Sequence, residues 1–217
     1  MPHPMSPRSF ILANTRLLAP PLVPEVRLHL AEESLPIWQK SEEELGRMNV
    51  PPPFWAFAWA GGQALSRYLL DNRGLVEGRR VLDLGAGSGL GAIAAMRAGA
   101  RTALAADIDV IAVEAVALNA RANDVIVEAT TADLLAASPG AFDLVLIGDL
   151  FYERPLAERV LAFAQAAKAQ GADVLVGDPR RSYFPKEMFA AVAHYEVPVT
   201  RELEDAEIKR SAVWRLA

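Results

Sequence analysis

The chain has 217 residues, of which 52% are hydrophobic and 23% charged, and its formal net charge is −5 at pH 7. This composition predicts a folded protein and excludes an intrinsically disordered chain. The acidic balance argues against broad binding to nucleic acid or to a membrane surface. With no cysteine and three scattered histidines, the sequence offers no disulfide and no clustered metal ligands.

The N-terminal quarter is rich in proline, since ten of the fifteen prolines lie in the first 53 residues. We therefore expect one domain with an irregular cap over residues 1–60 and a regular core over residues 61–217. Within the cap, residues 24–45 have the spacing of one or two short amphipathic helices that Pro36 interrupts. A domain of this size can bury its own core, so we expect a monomer.

The first 24 residues contain no acidic residue, which is also true of transit peptides. Six prolines in the same stretch would break the amphipathic helix that such peptides need. No stretch of the chain approaches the 18 or so consecutive apolar residues of a membrane-spanning helix. We therefore expect a cytoplasmic protein.

From Gly78 onward, short apolar runs alternate with alanine-rich stretches. The runs predict seven strands, at 80–84, 102–107, 125–129, 142–148, 172–177, 194–199 and 207–216. The stretches between them predict four helices, at 89–98, 109–121, 153–170 and 184–193. Continuous apolar strands indicate a parallel sheet that helices cover on both faces. The sequence thus predicts an α/β, doubly wound fold with a helical, proline- and tryptophan-rich N-terminal cap.

A glycine-rich turn follows the first of these strands, in the run D-L-G-A-G-S-G-L-G at 83–91. Gly85, Gly87 and Gly89 allow the backbone to turn sharply and let a ligand approach closely. The glycines alone do not choose a cofactor, because the same spacing satisfies the G-x-G-x-x-A pattern of dinucleotide sites. Asp83 favours S-adenosylmethionine, since a carboxylate here would repel a pyrophosphate but attract an ammonium and a sulfonium.

Two further acids follow the next two strands. Asp107 lies 22 residues after Gly85, the separation expected for a carboxylate that binds ribose hydroxyls. Asp133 follows the third strand and is placed to accept from an adenine amino group. The alternative for Asp133 is that it only caps a turn.

The fourth strand ends in G-D-L-F-Y-E, with Asp149 and Tyr152 at the carboxyl edge where ligands of such sheets lie. We predict that the methyl acceptor binds there, and the alternative is that Asp149 caps helix 153–170. Trp59, beside Gly61 and Gly62, is assigned to the cofactor pocket, because an aromatic ring can close over a sulfonium. Phe54 and Phe57 are expected to pack the cap onto the sheet.

From about residue 54 to the C terminus, the glycine turn and the acids after strands two and three resemble the class I S-adenosylmethionine-dependent methyltransferases. This resemblance implies a mostly parallel, seven-stranded sheet whose last strand, about 207–216, runs antiparallel. The D-x-x-Y pattern at 149–152 resembles the subgroup that methylates lysines in proteins. It differs from the N-P-P-Y type of motif of amide and nucleobase methyltransferases.

Together with P-P-P-F-W-A-F-A-W-A-G-G at 51–62 and G-D-P-R-R-S-Y-F at 177–184, these motifs resemble the lysine methyltransferases of the electron-transfer flavoprotein β subunit. The resemblance spans residues 20–217. It implies S-adenosyl-L-methionine as cofactor, the flavoprotein β subunit as partner and no metal. Asp149 would recruit the lysine ammonium and Tyr152 would line the amine channel.

Several alternatives stay open at this point. One alternative is that the methyl acceptor is another protein, such as a ribosomal protein, or a small amine. A different class, an NAD-dependent oxidoreductase or a non-catalytic nucleotide-binding module, also fits the glycine turn. Arg180, Arg181 and Tyr183, after the fifth strand, either contact a protein substrate or form a plain solvated loop.

Overall fold

A computed structural model describes residues 5–31, 52–199 and 206–217. Its N-terminal part begins with helix α1 (Pro7–Asn14), which Ser6 caps by accepting from the backbone N–H of Ser9 at 3.2 Å. Strands β1 (Arg16–Leu18) and β2 (Leu28–Leu30) follow as an antiparallel pair. The predicted helix over 24–45 is wrong where β2 lies, and residues 32–45 are outside the described residues.

Seven strands form the central sheet: β3 (Arg80–Leu84), β4 (Thr102–Ala106), β5 (Glu128–Thr130), β6 (Leu144–Gly148), β7 (Asp173–Asp178), β8 (Phe189–Pro198) and β9 (Ile208–Leu216). Their spatial order is β5-β4-β3-β6-β7-β9-β8. The first five run parallel, and β9 runs antiparallel to both β7 and β8. This confirms the predicted mostly parallel, seven-stranded sheet and the antiparallel last strand.

Within the described ranges, four more helices connect and cover the strands: α2 (Ala60–Asp71), α3 (Leu90–Arg97), α4 (Val110–Ala122) and α5 (Arg154–Ala169). The last three match predicted helices to within a residue at each end. Helix α2 lies in a stretch for which the sequence predicts no helix. In the described part of the chain, no helix is long and apolar enough to cross a membrane.

The predicted helix over 184–193 is wrong. A short 3-10 turn at Lys186–Met188 leads directly into β8, which covers the predicted strand 194–199 except for its last residue. Alanines in this run raise its helix propensity, but pairing with β9 along the whole strand satisfies the backbone instead. Tertiary pairing therefore overrides local propensity at this edge of the sheet.

The strand order reverses between β3 and β6, because β4 and β5 lie on one side of β3 whereas β6 and β7 lie on the other. In open α/β sheets, ligands bind beyond the carboxyl ends of the strands at such a switch point. Two loops leave this edge side by side, at 85–89 after β3 and at 149–153 after β6. The topology thus brings the glycine turn and the D-x-x-Y motif together.

Helix α2 starts in backbone contact with β7 through a pair of glycines. A Cβ added to Gly61 would overlap the carbonyl oxygen of Gly177, and a Cβ added to Gly177 would overlap that of Gly61. The added Cβ at Gly61 would also lie 2.5 Å from Oδ2 of Asp149. By contrast, a Cβ on the neighbouring Gly62 would meet nothing within 4 Å. Of the two glycines at the start of α2, the fold therefore needs Gly61 but not Gly62.

We expect Gly61→Ala to lower the free energy of unfolding by about 1–3 kcal/mol, because the helix must move away from β7. For a chain of this length the melting temperature should fall by several degrees, at roughly 2–4 °C per kcal/mol. Gly62→Ala is the matched control and should leave the melting temperature unchanged or slightly raised, since alanine favours a helix. Equal melting temperatures for the two variants would contradict the close contact.

Candidate active site

A cavity of about 480 Å³ opens over the carboxyl ends of the parallel strands. A second cavity of about 60 Å³ adjoins it and shares some of its walls. The large cavity is lined by seven of the residues assigned from sequence: Trp59, Gly85, Gly87, Asp107, Asp133, Asp149 and Tyr152. Asp83 lines the smaller cavity, whereas Gly89 lines neither and ends the glycine turn at the start of α3. The fold therefore gathers eight of the nine sequence-assigned positions around one crevice.

The turn between β3 and α3 takes a path that only glycine follows without strain. Gly85, Gly87 and Gly89 have φ values of 64°, 52° and 80°, in the left-handed region. A Cβ on Gly85 would lie 2.7 Å from the side chain of Leu150. Gly89 is the N-terminal cap of α3, so the turn aims the start of this helix at the crevice.

Asp83 is buried at the end of β3 and accepts a hydrogen bond from the backbone N–H of Ala92 at 2.8 Å. Burial raises the pKa of this carboxyl to about 7, against the opposing effect of the hydrogen bond, and the charge of Asp107 adds to the rise. A cationic group in the smaller cavity would favour the ionised form of Asp83.

Asp107 ties the end of β4 to the glycine turn. Its Oδ2 accepts from the backbone N–H of Gly87 at 2.8 Å, and its Oδ1 accepts from the N–H of Asp109 at 3.0 Å. The carboxylate is therefore held at a fixed place on the wall of the large cavity. Carboxylate oxygens at this position fit the ribose hydroxyls of a nucleoside.

Asp133 caps the short 3-10 turn at Leu134–Ala136, because its Oδ1 accepts from the N–H of Leu135 at 3.1 Å. Its Oδ2 forms an ion pair with Arg159 of α5. The structure thus shows the capping contact that the sequence left as an alternative. The same side chain also lines the large cavity, so a contact with adenine stays a prediction.

Asp149 is the most constrained acid of the crevice. It is only 7% exposed, and its φ of 58° lies in the left-handed region, which costs a non-glycine residue about 1–3 kcal/mol. Its Oδ2 accepts from the backbone N–H of Gly62 at 2.9 Å. The alternative that Asp149 caps the following helix is wrong, because the N-cap of α5 is Glu153.

The sequence did not identify Arg181 as the partner of Asp149. Nη2 and Nε of Arg181 lie 2.6 Å and 3.0 Å from Oδ1 of Asp149. The guanidinium also lies 5.4 Å from the ring centroid of Trp59, and the backbone N–H of Arg181 donates to Asp178 at 2.7 Å. One signal was available: G-D-P-R-R spans the end of β7, the parallel neighbour of β6, so the loops after both strands leave the same edge.

Asp178 is a second residue that sequence reasoning missed. Burial and, to a lesser extent, the nearby charge of Asp149 raise its pKa to about 7, against hydrogen bonds that lower it. Its backbone carbonyl accepts from Nε1 of Trp214 at 3.1 Å. Asp178 is therefore fully buried and fixes the backbone of the loop that carries Arg181.

Aromatic rings form one wall of the large cavity. The ring of Phe54 lies 6.1 Å from that of Trp59 and 5.8 Å from that of Tyr152. The expectation that Phe54 packs the cap onto the sheet is wrong, since this side chain is 50% exposed and lines the cavity. Trp55 instead packs the cap against a helix of the core: it is 1% exposed and lies against α1 and α4. The apolar run did not reveal which ring turns inward.

Phe57, expected to pack the cap, is half-buried against the cluster that Trp55 forms, and its ring lies 5.9 Å from that of Trp59.

Burial raises the pKa of Tyr152 above its ordinary value, and the charges of Glu153 and Asp107 add to the rise. Its hydroxyl is therefore protonated at neutral pH. Among the described residues, no group of three or more His, Asp or Glu side chains could hold a metal ion.

The model of a family described as ribosomal protein L11 methyltransferase (PrmA) matches residues 63–169. The electron transfer flavoprotein beta subunit lysine methyltransferase of Xenopus laevis is 38% identical over 214 residues, which cover 96% of this chain and 86% of that protein. The protein of the same name from Danio rerio is 36% identical and covers 96% of this chain and 82% of its own length.

Among solved structures, the ribosomal protein L11 methylase of Lactobacillus delbrueckii subsp. bulgaricus has a TM-score of 0.51 at 23% identity. The match covers 74% of this chain and 81% of that chain. At this level of identity the likeness concerns the fold alone, and it agrees with the sheet order described above.

The raised pKa of Asp83 predicts a pH dependence of stability. Because its folded-state pKa is above the unfolded value, its contribution is complete below about pH 4 and is lost as the pH rises through about 7. We expect Asp83→Asn to exceed the wild-type melting temperature by several degrees more at pH 8 than at pH 5, without ligand.

Thermal unfolding at constant ionic strength measures this difference. Asp124→Asn, which changes an exposed aspartate after α4, is the control and should leave the melting temperature unchanged at both pH values. A difference between Asp83→Asn and wild type that is the same at pH 5 and pH 8 would contradict the raised pKa.

Proposed function

The chain belongs to the family of electron-transfer flavoprotein β-subunit lysine methyltransferases, and on this premise we propose that it methylates lysine side chains of such a β subunit. The observation that carries the proposal is identity of 38% with a relative of that name along 96% of the chain, cap included. The crevice supports it, because an acid and a tyrosine lie beside a pocket that suits a methyl donor.

The donor in this proposal is S-adenosyl-L-methionine, and the described residues fit it. The cavity volume of about 480 Å³ is in the range of small-molecule sites. Asp107 suits the ribose, Asp133 the adenine and the buried Asp83 the ammonium of the methionine part. The wall of Phe54 and Trp59 suits a sulfonium.

S-adenosylmethionine supplies an electrophilic methyl group: a nitrogen–carbon bond forms, the carbon–sulfur bond breaks, and sulfur keeps the bonding electron pair. The acceptor amine must therefore be neutral. A free lysine has a pKa near 10.4, so its deprotonation at pH 7 costs roughly 4–5 kcal/mol. The site must orient the amine and favour its neutral form, while proximity supplies much of the rate.

We assign the acceptor position to Asp149 and Tyr152. Both line the large cavity, and Tyr152 is 40% exposed at its mouth, so a lysine side chain can enter from solvent. The aromatic wall would hold the aliphatic stem of the lysine. A carboxylate oxygen of Asp149 would then accept from the amine and orient its lone pair toward the donor.

A ribosomal protein is the second candidate substrate, because the matching family model bears that description. That model matches residues 63–169, which are part of the core and include none of the cap. The relatives named for the flavoprotein match both parts. Since the cap supplies Phe54 and Trp59 to the cavity, the relatives that include it are the better guide to the substrate.

The proposal also covers the setting of the reaction: a cytoplasmic monomer that acts on protein and not on nucleic acid. The net charge of −5 disfavours a phosphate backbone as substrate. The described strands and helices bury hydrophobic clusters on one another without a partner chain, which supports a monomer.

Intact mass spectrometry of electron-transfer flavoprotein from the same organism tests this function. Incubation with the protein and S-adenosylmethionine should add steps of about 14 Da to the β subunit alone. Asp149→Asn should reduce the rate at least about 100-fold, because it removes the carboxylate at the acceptor position. The affinity of this variant for S-adenosylhomocysteine should stay within about threefold of wild type.

The control is Asp124→Asn, which alters another aspartate with a left-handed φ, 55°, far from the crevice. Asparagine tolerates this backbone conformation, so neither variant should add backbone strain. No mass gain with wild-type protein that binds S-adenosylhomocysteine would contradict the proposed substrate. A mass gain that Asp149→Asn leaves unchanged would contradict the assigned acceptor position.

A further inference from the structure

Arg181 is held on several sides at the base of the acceptor position. Two of its nitrogens donate to Oδ1 of Asp149, at 2.6 Å and 3.0 Å. The plane of its guanidinium lies over Trp59, and its backbone N–H is fixed by Asp178. The side chain is only 18% exposed. A guanidinium held in this way stays in place more readily than one that a single exposed ion pair holds.

Both oxygens of Asp149 are consequently engaged. Oδ1 accepts from Arg181 and Oδ2 accepts from the backbone N–H of Gly62. A lone carboxylate beside an amine would stabilise the ammonium, which is the form that cannot attack. A carboxylate paired with a guanidinium keeps hydrogen-bonding capacity, since each oxygen has two lone pairs, but its charge is offset.

We propose that Arg181 stays on Asp149 during turnover and acts as a positioning residue that keeps the acceptor lysine neutral. The inference rests on the proposed function and deepens it. The ammonium gives its proton to water, and the neutral amine then donates one N–H to Asp149 while its lone pair faces the donor. The positive charge of Arg181 opposes any return of the proton. Asp149 then orients a neutral amine, in contrast to the expectation from sequence that it recruits the lysine ammonium.

Other charged groups face this pair and bear on any pH profile. Asp178 packs below Arg181, and Asp83 and Asp107 end the strands across the crevice. Glu153 begins α5 beside Tyr152. Helix α2 contributes Gly61 and Gly62, which carry no charge. Asp178 is the group that could imitate the expected effect, because it lies in contact with Arg181 and its pKa is raised to about 7.

The test is the pH dependence of kcat/KM for methyl transfer to the flavoprotein β subunit, from pH 6 to 10, at saturating S-adenosylmethionine and constant ionic strength. Arg181→Gln should move the ascending limb of the profile to higher pH by about one unit or more. At neutral pH its kcat/KM should therefore be about tenfold below wild type, and at high pH it should return to the wild-type value. Arg181→Lys keeps the charge and should leave the limb within about half a unit.

Three further variants or measurements complete the design. Arg210→Gln makes the same charge change at an 89% exposed side chain of β9 and should leave the profile unchanged. Asp178→Asn should leave the limb in place, because the limb belongs to the lysine. Binding of S-adenosylhomocysteine to Arg181→Gln shows that this variant is folded.

Four results would overturn the inference. A lower rate for Arg181→Gln with an unshifted limb would make Arg181 merely structural. A higher rate at neutral pH with an unshifted limb would mean that the lysine displaces Arg181. A limb that moves with Asp178→Asn would assign the titration to Asp178. Absence of transfer by wild-type protein at every pH would contradict the proposed function itself, and with it this inference.

Discussion

The ion pair between Asp149 and Arg181 is the contact on which the geometry of the crevice depends. It joins the loop after β6 to the loop after β7, and Gly62 and Trp59 bring the start of α2 onto the same two side chains. This convergence requires that α2 lie against β7 with no side chain between them, which is why glycine occupies positions 61 and 177. The strained φ of Asp149 is maintained by these surrounding contacts.

Buried acids give the crevice its electrostatic character. Burial raises the pKa values of Asp83 and Asp178 to about 7, whereas Asp149 has its charge offset by a guanidinium. Such a site carries less negative charge at neutral pH than its acidic residues imply. It can therefore accept a cationic methyl donor, whose charge would favour ionised Asp83, without also stabilising a second cation at the acceptor position.

The sequence predicted the central part of the fold because its signals are local. Continuous apolar runs mark β3, β4, β6 and β7, whereas the predicted strand 125–129 overlaps β5 by only two residues. The glycine turn has to follow a strand and open a helix. The sequence failed where distant pairing decides, as at β8, whose alanines favour a helix until β9 pairs with them. It also gave no sign of α2, whose start is fixed by the contact between Gly61 and Gly177.

The same distinction holds for the site. Positions such as Asp83 and Asp107 follow from spacing along single strand–turn units, so sequence could place them. The partner of Asp149 lies 32 residues away along the chain, on a neighbouring strand end, and no local pattern pairs the two. Likewise, the exposure of Phe54 and the burial of Trp55 depend on how a 3-10 turn at Phe54–Ala56 directs adjacent rings.

A crystal structure of the protein with S-adenosylhomocysteine would show the donor and acceptor positions together. We expect the ribose on Asp107, the amino-acid part in the smaller cavity beside Asp83, and Arg181 still on Asp149 below an open acceptor position. Nucleoside bound elsewhere, or Arg181 turned away from Asp149 into the cavity, would contradict this expectation.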